Sequence, residues 1–243
     1  MADQHLTDRA MVIAGAGSGM GRATALAAAK EGARLVLVAR SAAALDEVVA
    51  EITAAGGRAT AIAADVTDHA ATVAMIEEAK RALGRIDALV NTVGTNIKNR
   101  TLSELTPESW AGMLAVNLTA AFNLTQAVVP TMREQGDGLI VHVSSSAAKK
   151  PDPSGVSYQA TKAGVVGLAH GTMEEERKNG IRTSVIFPGL TDTPMVLKRP
   201  TPTPPEVLAK ALQPEDVAAA VLFVLQLPAR AHVPELLLYP SGL

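Results

Sequence analysis

The chain has 243 residues, a formal net charge of −2, 48% apolar residues, 2% aromatics and no cysteine. A near-neutral chain with so few rings and no basic stripe is poorly equipped to bind nucleic acid or an anionic membrane. The lack of cysteine excludes disulfides, thiolate nucleophiles and Cys-ligated metals. His5, His69, His142, His170 and His232 are dispersed without metal-ligand spacing, so no metal is expected. The polar opening Met1–Ala10, with Asp3, Asp8 and Arg9, does not read as an export signal. The late apolar run Val217–Leu225 is too short to cross a bilayer. A soluble protein of the reducing cytoplasm is the expectation.

In chain order the pattern alternates strand and helix. Met11–Ala14 is a short apolar run that stops at glycines, and Leu35–Val38 is the next. Leu45, Val48, Val49 and Ile52 fall at the spacing of one helix face. Thr60–Ala63 reads as a weaker strand. Val73, Ile76 and Leu83 form a second helix face behind Asp68 as N-cap. Ala88–Val90 is a strand, and Thr106-Pro107 opens a helix with proline at its first position. Leu139–Val143 and Thr183–Phe187 are strands, and His142 is expected to be packed within the first of them. Between them, Glu174, Glu175 and Glu176 read as a solvated acidic face, with Glu174 and Lys178 at i, i+4. Thr193–Pro205 carries five prolines and sits after the sixth strand. It reads as part of a lid over a ligand site, spanning 194–212, with a plain connecting loop as the alternative. Gln213-Pro214 opens another helix, and Leu236–Tyr239 closes the chain as a strand. Uninterrupted apolar strands alternating with helices predict a doubly wound parallel sheet covered on both faces, in one domain over 1–243.

Ala14-Gly15-Ala16-Gly17-Ser18-Gly19-Met20-Gly21 joins the first strand to a helix. Glycines let backbone approach a pyrophosphate, and a helix N-terminus offers free N–H groups and a positive dipole end. Gly15, Gly17, Ser18, Gly19, Met20 and Gly21 are therefore candidate dinucleotide ligands. The second strand ends in Val38-Ala39-Arg40-Ser41. No acidic residue stands there to accept from an NAD ribose, whereas Arg40 offers a guanidinium to a 2′-phosphate. NADP(H) is favoured, with NAD(H) as the alternative.

These residues and those that follow resemble the short-chain dehydrogenase/reductase family, over essentially the whole chain. The family's Thr-Gly-x-x-x-Gly-x-Gly matches the glycine turn, with Ala14 in place of its threonine. Asp65-Val66 is similar to the adenine-contacting pair. Asn91-Thr92-Val93-Gly94 partly matches Asn-Asn-Ala-Gly, carrying over Asn91 and Gly94. Tyr158-Gln159-Ala160-Thr161-Lys162 matches Tyr-x-x-x-Lys, and Ser145 lies thirteen residues before Tyr158, flanked by Ser144 and Ser146 as alternatives. Asn117 matches the fourth catalytic position. Pro188-Gly189-Leu190-Thr191-Asp192-Thr193 matches the nicotinamide loop, carrying over Pro188, Gly189, Thr191 and Thr193. The resemblance implies a Rossmann-type doubly wound parallel seven-stranded sheet with helices on both faces. It implies hydride transfer between a small-molecule carbonyl and an alcohol.

The chemistry accounts for the catalytic set. A carbonyl accepts hydride only as its oxygen is protonated. Tyr158 is the acid/base candidate, and Lys162, at i+4 on the same face, would stabilise its phenolate and lower its pKa. By resemblance Lys162 also binds the nicotinamide ribose, Ser145 holds the substrate oxygen, and Asn117 anchors a relay water. Lys149, Lys150, Lys198 and Arg199 flank the site as loop charges, or as an attraction for an acyl-carrier or coenzyme A thioester. A 3-oxoacyl reductase is thus one alternative, and a non-catalytic dinucleotide sensor another. Loss of Tyr158 or Lys162 would have favoured the sensor. Met195 and Leu197 suggest a partly apolar pocket. The family also implies a homotetramer or homodimer, for which Gln159, Ala160, Ala163, Gly164 and Gly167 offer a close-packing helix surface or, alternatively, a face against the sheet.

Overall fold

The computed structural model describes residues 6–242, so His5 and the first half of the polar opening segment, with Asp3, lie outside the described residues. Seven strands form one sheet in the order β3-β2-β1-β4-β5-β6-β7. They are β1 (Ala10–Ala14), β2 (Arg34–Ala39), β3 (Arg58–Ala63), β4 (Ala88–Asn91), β5 (Gly138–Val143), β6 (Ile181–Pro188) and β7 (Glu235–Leu238). Every pairing is parallel. The strand order reverses beside β1, where the chain leaves towards β2 on one side and β4 on the other. This is the Rossmann-like arrangement the sequence predicts, and its ligand crevice lies beyond the carboxyl ends of the strands at that reversal.

Side chains alternate across the sheet, so each strand feeds two cores. Met11, Ile13, Leu35 and Leu37 face α1 (Gly19–Lys30), α2 (Ala42–Ala54) and the last helix, Pro214–Gln226. Val12, Val36, Val38 and Leu89 face α3 (His69–Leu83) and α5 (Ala120–Gln135). A smaller cluster of Ala169, Val185 and Phe187 seats α6 (Val156–Glu176). Each fully buried Val, Leu or Ile contributes about 1.5–3 kcal/mol. Helix α4 (Pro107–Leu114) is capped by Thr106 and runs through a wide π turn, Ala115–Thr119, into α5. Among the described residues, only Pro107–Gln135 is long and apolar enough to cross a membrane, and half of its most apolar window is buried inside this fold.

Three local expectations are corrected. Val73 is 39% exposed, and the inward face of α3 is Thr72, Met75, Ile76, Ala79 and Leu83. The Thr72 hydroxyl donates to the carbonyls of Asp68 (2.7 Å) and Val66 (3.2 Å), which turns position 72 inward and 73 out. Glu176 is not solvated. It is 3% exposed and accepts from Arg133 Nε (2.7 Å) and Asn179 Nδ2 (2.8 Å). Glu174 pairs with Arg177 rather than Lys178, at 3.2 Å. The helix tightens into a 3₁₀ turn at Arg177–Asn179, which brings i+3 rather than i+4 over the carboxylate.

Candidate active site

Two adjoining cavities open at the carboxyl ends of the strands. The larger, of about 680 Å³, is lined by the turn residues Gly15, Gly17, Ser18, Gly19, Met20 and Gly21 together with Arg40, Asp65, Val66, Gly94 and Thr193. The turn is locked from behind. A Cβ on Gly21 would lie 2.2 Å from the Gly15 carbonyl oxygen, and one on Gly15 would lie 2.5 Å from Thr92 Oγ1. Gly15 also sits at φ +86°, which side chains rarely adopt. Thr92 donates its hydroxyl to the Ala14 carbonyl at 2.8 Å, so it braces the turn that Ala14, lacking a hydroxyl, does not. No side chain caps α1 and no acidic residue stands in its first turn. Its leading N–H groups therefore face the cavity, the chemistry an anionic pyrophosphate requires.

The flanks fit the same group. Arg40 is exposed on the cavity rim at the end of β2. Asp65 Oδ1 accepts from the Thr67 N–H (3.0 Å) and hydroxyl (2.8 Å), and these bonds hold its carboxyl below the usual range. The Val66 carbonyl is fixed by Asn123 Nδ2 at 3.0 Å. Asn91 is not on the cavity wall. It is buried behind it, accepting from the Val93 N–H (3.0 Å) and meeting His142 Nδ1 through its Nδ2 (3.2 Å). His142 is fully buried, and burial pulls it down to about 4, so it packs as a neutral ring.

The smaller cavity, of about 370 Å³, shares Met20, Thr193 and Met195 with the larger. Ser145, Tyr158, Pro188, Gly189 and Thr191 line it. Tyr158 and Lys162 lie one turn apart on α6, and Lys162 Nζ is 5.8 Å from the phenol ring centroid. The buried ammonium donates to the Val143 carbonyl at 3.1 Å, and burial lowers it to about 8. A Cβ on Gly94 would stand 3.1 Å from Lys162 Nζ and 3.5 Å from Asn117 Oδ1, so both groups lie buried directly behind a glycine that lines the larger cavity, and neither is itself on a cavity wall. Asn117 sits in the π turn, accepting from the Thr95 N–H (2.7 Å) and donating to Thr161 Oγ1 (3.1 Å). Of the three adjacent serines, Ser144 donates to the Lys162 carbonyl at 2.9 Å and is buried, whereas the Ser145 hydroxyl faces the Tyr158 phenol.

One electrostatic expectation is corrected. Burial raises the phenol of Tyr158, and the nearby cation that opposes the rise is Arg100, not Lys162. Desolvation outweighs the Ser145 hydrogen bond and Arg100, while Lys162 is turned towards the Val143 carbonyl. Around the cavity, Lys149 binds Glu235 (2.7 Å) and Lys150 lies over the Tyr239 ring, both away from the phenol. Leu197 is 79% exposed and does not line either cavity, whereas Met195 lines both. Three residues on or behind these walls escaped the sequence reading: Thr92, Asn96 and Arg100. The available signal was a cation, Arg100, just past the carboxyl end of β4, where open α/β sheets bind ligands.

A family model described as short chain dehydrogenase matches residues 9–203. The chain is 35% identical over 225 residues to the 3-oxoacyl-[acyl-carrier-protein] reductase FabG of Thermotoga maritima, covering 90% of this chain and 91% of that one. Levodione reductase superposes with a TM-score of 0.90 at 31% identity, over 98% of each chain. A metagenomic short-chain oxidoreductase solved in complex with NADP superposes with a TM-score of 0.84 at 32% identity, over 98% of this chain and 99% of that one.

Proposed function

Because the chain belongs to the short-chain dehydrogenase family, a family of oxidoreductases, we propose that it reduces a small-molecule carbonyl, or oxidises the matching alcohol, with NADP(H) preferred over NAD(H). The observation that carries the reading is the placement of Tyr158 and Ser145 on the wall of the smaller cavity, with Lys162 and Asn117 directly behind Gly94 on the wall of the larger. The cofactor held by the glycine turn would supply or accept the hydride. Tyr158 gives its phenolic proton to the carbonyl oxygen as negative charge develops there. The Ser145 hydroxyl holds that oxygen beside the phenol. Lys162, with an ammonium near neutrality, binds ribose and returns a proton towards Tyr158, and Asn117 carries the relay to solvent. Arg40 pairs with the 2′-phosphate, while Pro188, Gly189, Thr191 and Thr193 hold the carboxamide end. The 194–212 segment acts as lid.

The NADP-bound neighbour supports the cofactor preference, and the acidic residue that would accept from an NAD ribose is missing beside Arg40. A 3-oxoacyl reductase is the second reading, favoured by the 35% identity to FabG; oxidation of NADPH by free acetoacetyl thioesters would support it. The chain works in the cytoplasm as a homotetramer or homodimer. The direct test measures binding and turnover in wild type, Tyr158→Phe and Arg40→Ala. Wild type binds NADPH at least about tenfold tighter than NADH, and Arg40→Ala erases the gap. Tyr158→Phe keeps NADPH affinity and loses about 10²–10⁴-fold in kcat. Equal binding of NADH overturns the cofactor assignment, and an active Tyr158→Phe overturns the acid/base role.

A further inference from the structure

The smaller cavity holds a cation that the reaction above does not use. Arg100 follows β4, is 5% exposed, and lines the cavity with Tyr158 and Ser145. Its guanidinium is fastened at two points: Nε donates to the Ile97 carbonyl (2.9 Å) and Nη2 to the Lys198 carbonyl (2.7 Å). Its backbone is pinned against the start of α6. A Cβ on Gly155, at φ +97°, would lie 2.7 Å from Arg100 Cβ and 2.8 Å from its carbonyl oxygen. The arginine is thereby fixed relative to the helix that carries Tyr158, and the two groups sense each other's charge.

No ion pair among the described residues includes Arg100. Asp152 lines the same cavity, but beyond salt-bridge distance of Arg100, and its Oδ1 accepts from the Ser154 N–H at 2.8 Å. A second cation, Arg199, stands on the wall with Nη1 on Thr203 Oγ1 (3.1 Å). Arg100 donates only to neutral carbonyls, and Asp152, the one carboxylate on this wall, favours its charge only from beyond salt-bridge distance, so a ligand that brings the opposite charge into contact is favoured. Arg100 Nη1 has no acceptor among the described residues, and a guanidinium presents paired donors to planar oxyanions.

We propose that Arg100 receives an anionic group of the substrate, a carboxylate or a phosphate, so that the protein acts on small oxo acids or phosphorylated ketones and their alcohols. The inference rests on the carbonyl-reductase reading and narrows it. It also weighs against a long 3-oxoacyl thioester, which is neutral around its carbonyl and would lay an alkyl chain beside two arginines.

The test uses straight-chain 2-, 3- and 4-oxo acids, their methyl esters, and phosphorylated ketones of the same lengths. Binding to the wild-type protein with NADP⁺ is measured by calorimetry, and turnover with NADPH is measured separately. One charged series should bind, and be reduced, at least tenfold better than the esters. Preference for the acids assigns a carboxylate, and preference for the phosphates assigns a phosphate. Arg100→Gln should erase that preference and Arg100→Lys should keep part of it; NADP⁺ binding by each variant reports that it is folded. If neither variant folds, the acid-against-ester comparison in wild type decides. Charged-series binding without turnover would uphold the anion site while removing the hydride-transfer reading. Esters handled as well as acids and phosphates, a preference that survives in Arg100→Gln, or no binding by either charged series would overturn the proposal.

Discussion

Lys162 shows how one side chain is shaped by its surroundings. Its ammonium is buried with a single carbonyl acceptor and sits at about 8 instead of 10.5. The folded state therefore holds this proton less tightly than the unfolded chain does. Below pH 8 the fold carries the full cost of a desolvated ammonium, and stability rises as pH climbs from 8 to 10.5. The gap corresponds to about 3 kcal/mol. Urea unfolding of wild type and Lys162→Met checks the sign. The methionine variant should be the more stable at pH 7, and its advantage should shrink by about 3 kcal/mol by pH 10.5. A difference that stays constant with pH would mean the ammonium is not desolvated. The same residue was legible in sequence through its i+4 spacing from Tyr158. Its partner was not, because the Val143 carbonyl belongs to β5 and meets the helix only after the sheet forms.

At the scale of elements, α5 and α6 are tied by Arg133 and Glu176. The carboxylate is almost fully buried while the arginine remains half exposed. Arg133 holds the Glu176 carboxyl below its ordinary value of 4.5, winning over the burial that would raise it. This contribution is complete above pH 4.5 and is lost as pH falls through the lower folded value. Arg133→Met strands a buried carboxylate and should lower Tm by about 5 °C or more. Arg177→Met, whose pair with Glu174 is exposed at both ends, should move Tm by less than about 1 °C. Equal shifts from the two variants in a thermal melt would show that the Arg133 pair is no more than surface charge. Sequence periodicity could not have separated these cases. Three consecutive glutamates look alike until the end of α6 meets α5.

At the scale of the whole molecule, the proposed assembly can be located. Trp110 on α4 and Phe122 on α5 are large apolar side chains left exposed, and Ala160, Ala163 and Gly167 on α6 are exposed small residues. Nothing lies within 4 Å of a Cβ built on Gly167, whereas one on Gly164 would meet Leu118 Cδ2 at 2.8 Å. The expected small-residue surface is thus divided: Gly164 packs against its own chain and Gln159 donates to the Asp152 carbonyl at 3.1 Å, whereas Ala160, Ala163 and Gly167 are left exposed for a second copy. Light scattering should give two or four subunits for the wild type and a smaller assembly for Gly167→Arg. A single-subunit mass for the wild type would rule the assembly out.

The sequence by itself determined the seven strands and the glycine turn, and through its resemblance to the short-chain dehydrogenases it singled out Tyr158, Ser145, Lys162 and Asn117 as site candidates. Those features depend on local periods and on short spacings that survive in one dimension. The tertiary structure alone decided which groups face one another. It set Thr92 behind the glycine turn, turned Thr72 rather than Val73 inward, buried Glu176, and placed Arg100 on the wall beside Tyr158. Apart from the Thr72 turn, which its own N-terminal turn sets, each of these depends on packing by segments distant in sequence. A residue's charge and hydrogen bonding are settled only when those segments have packed around it.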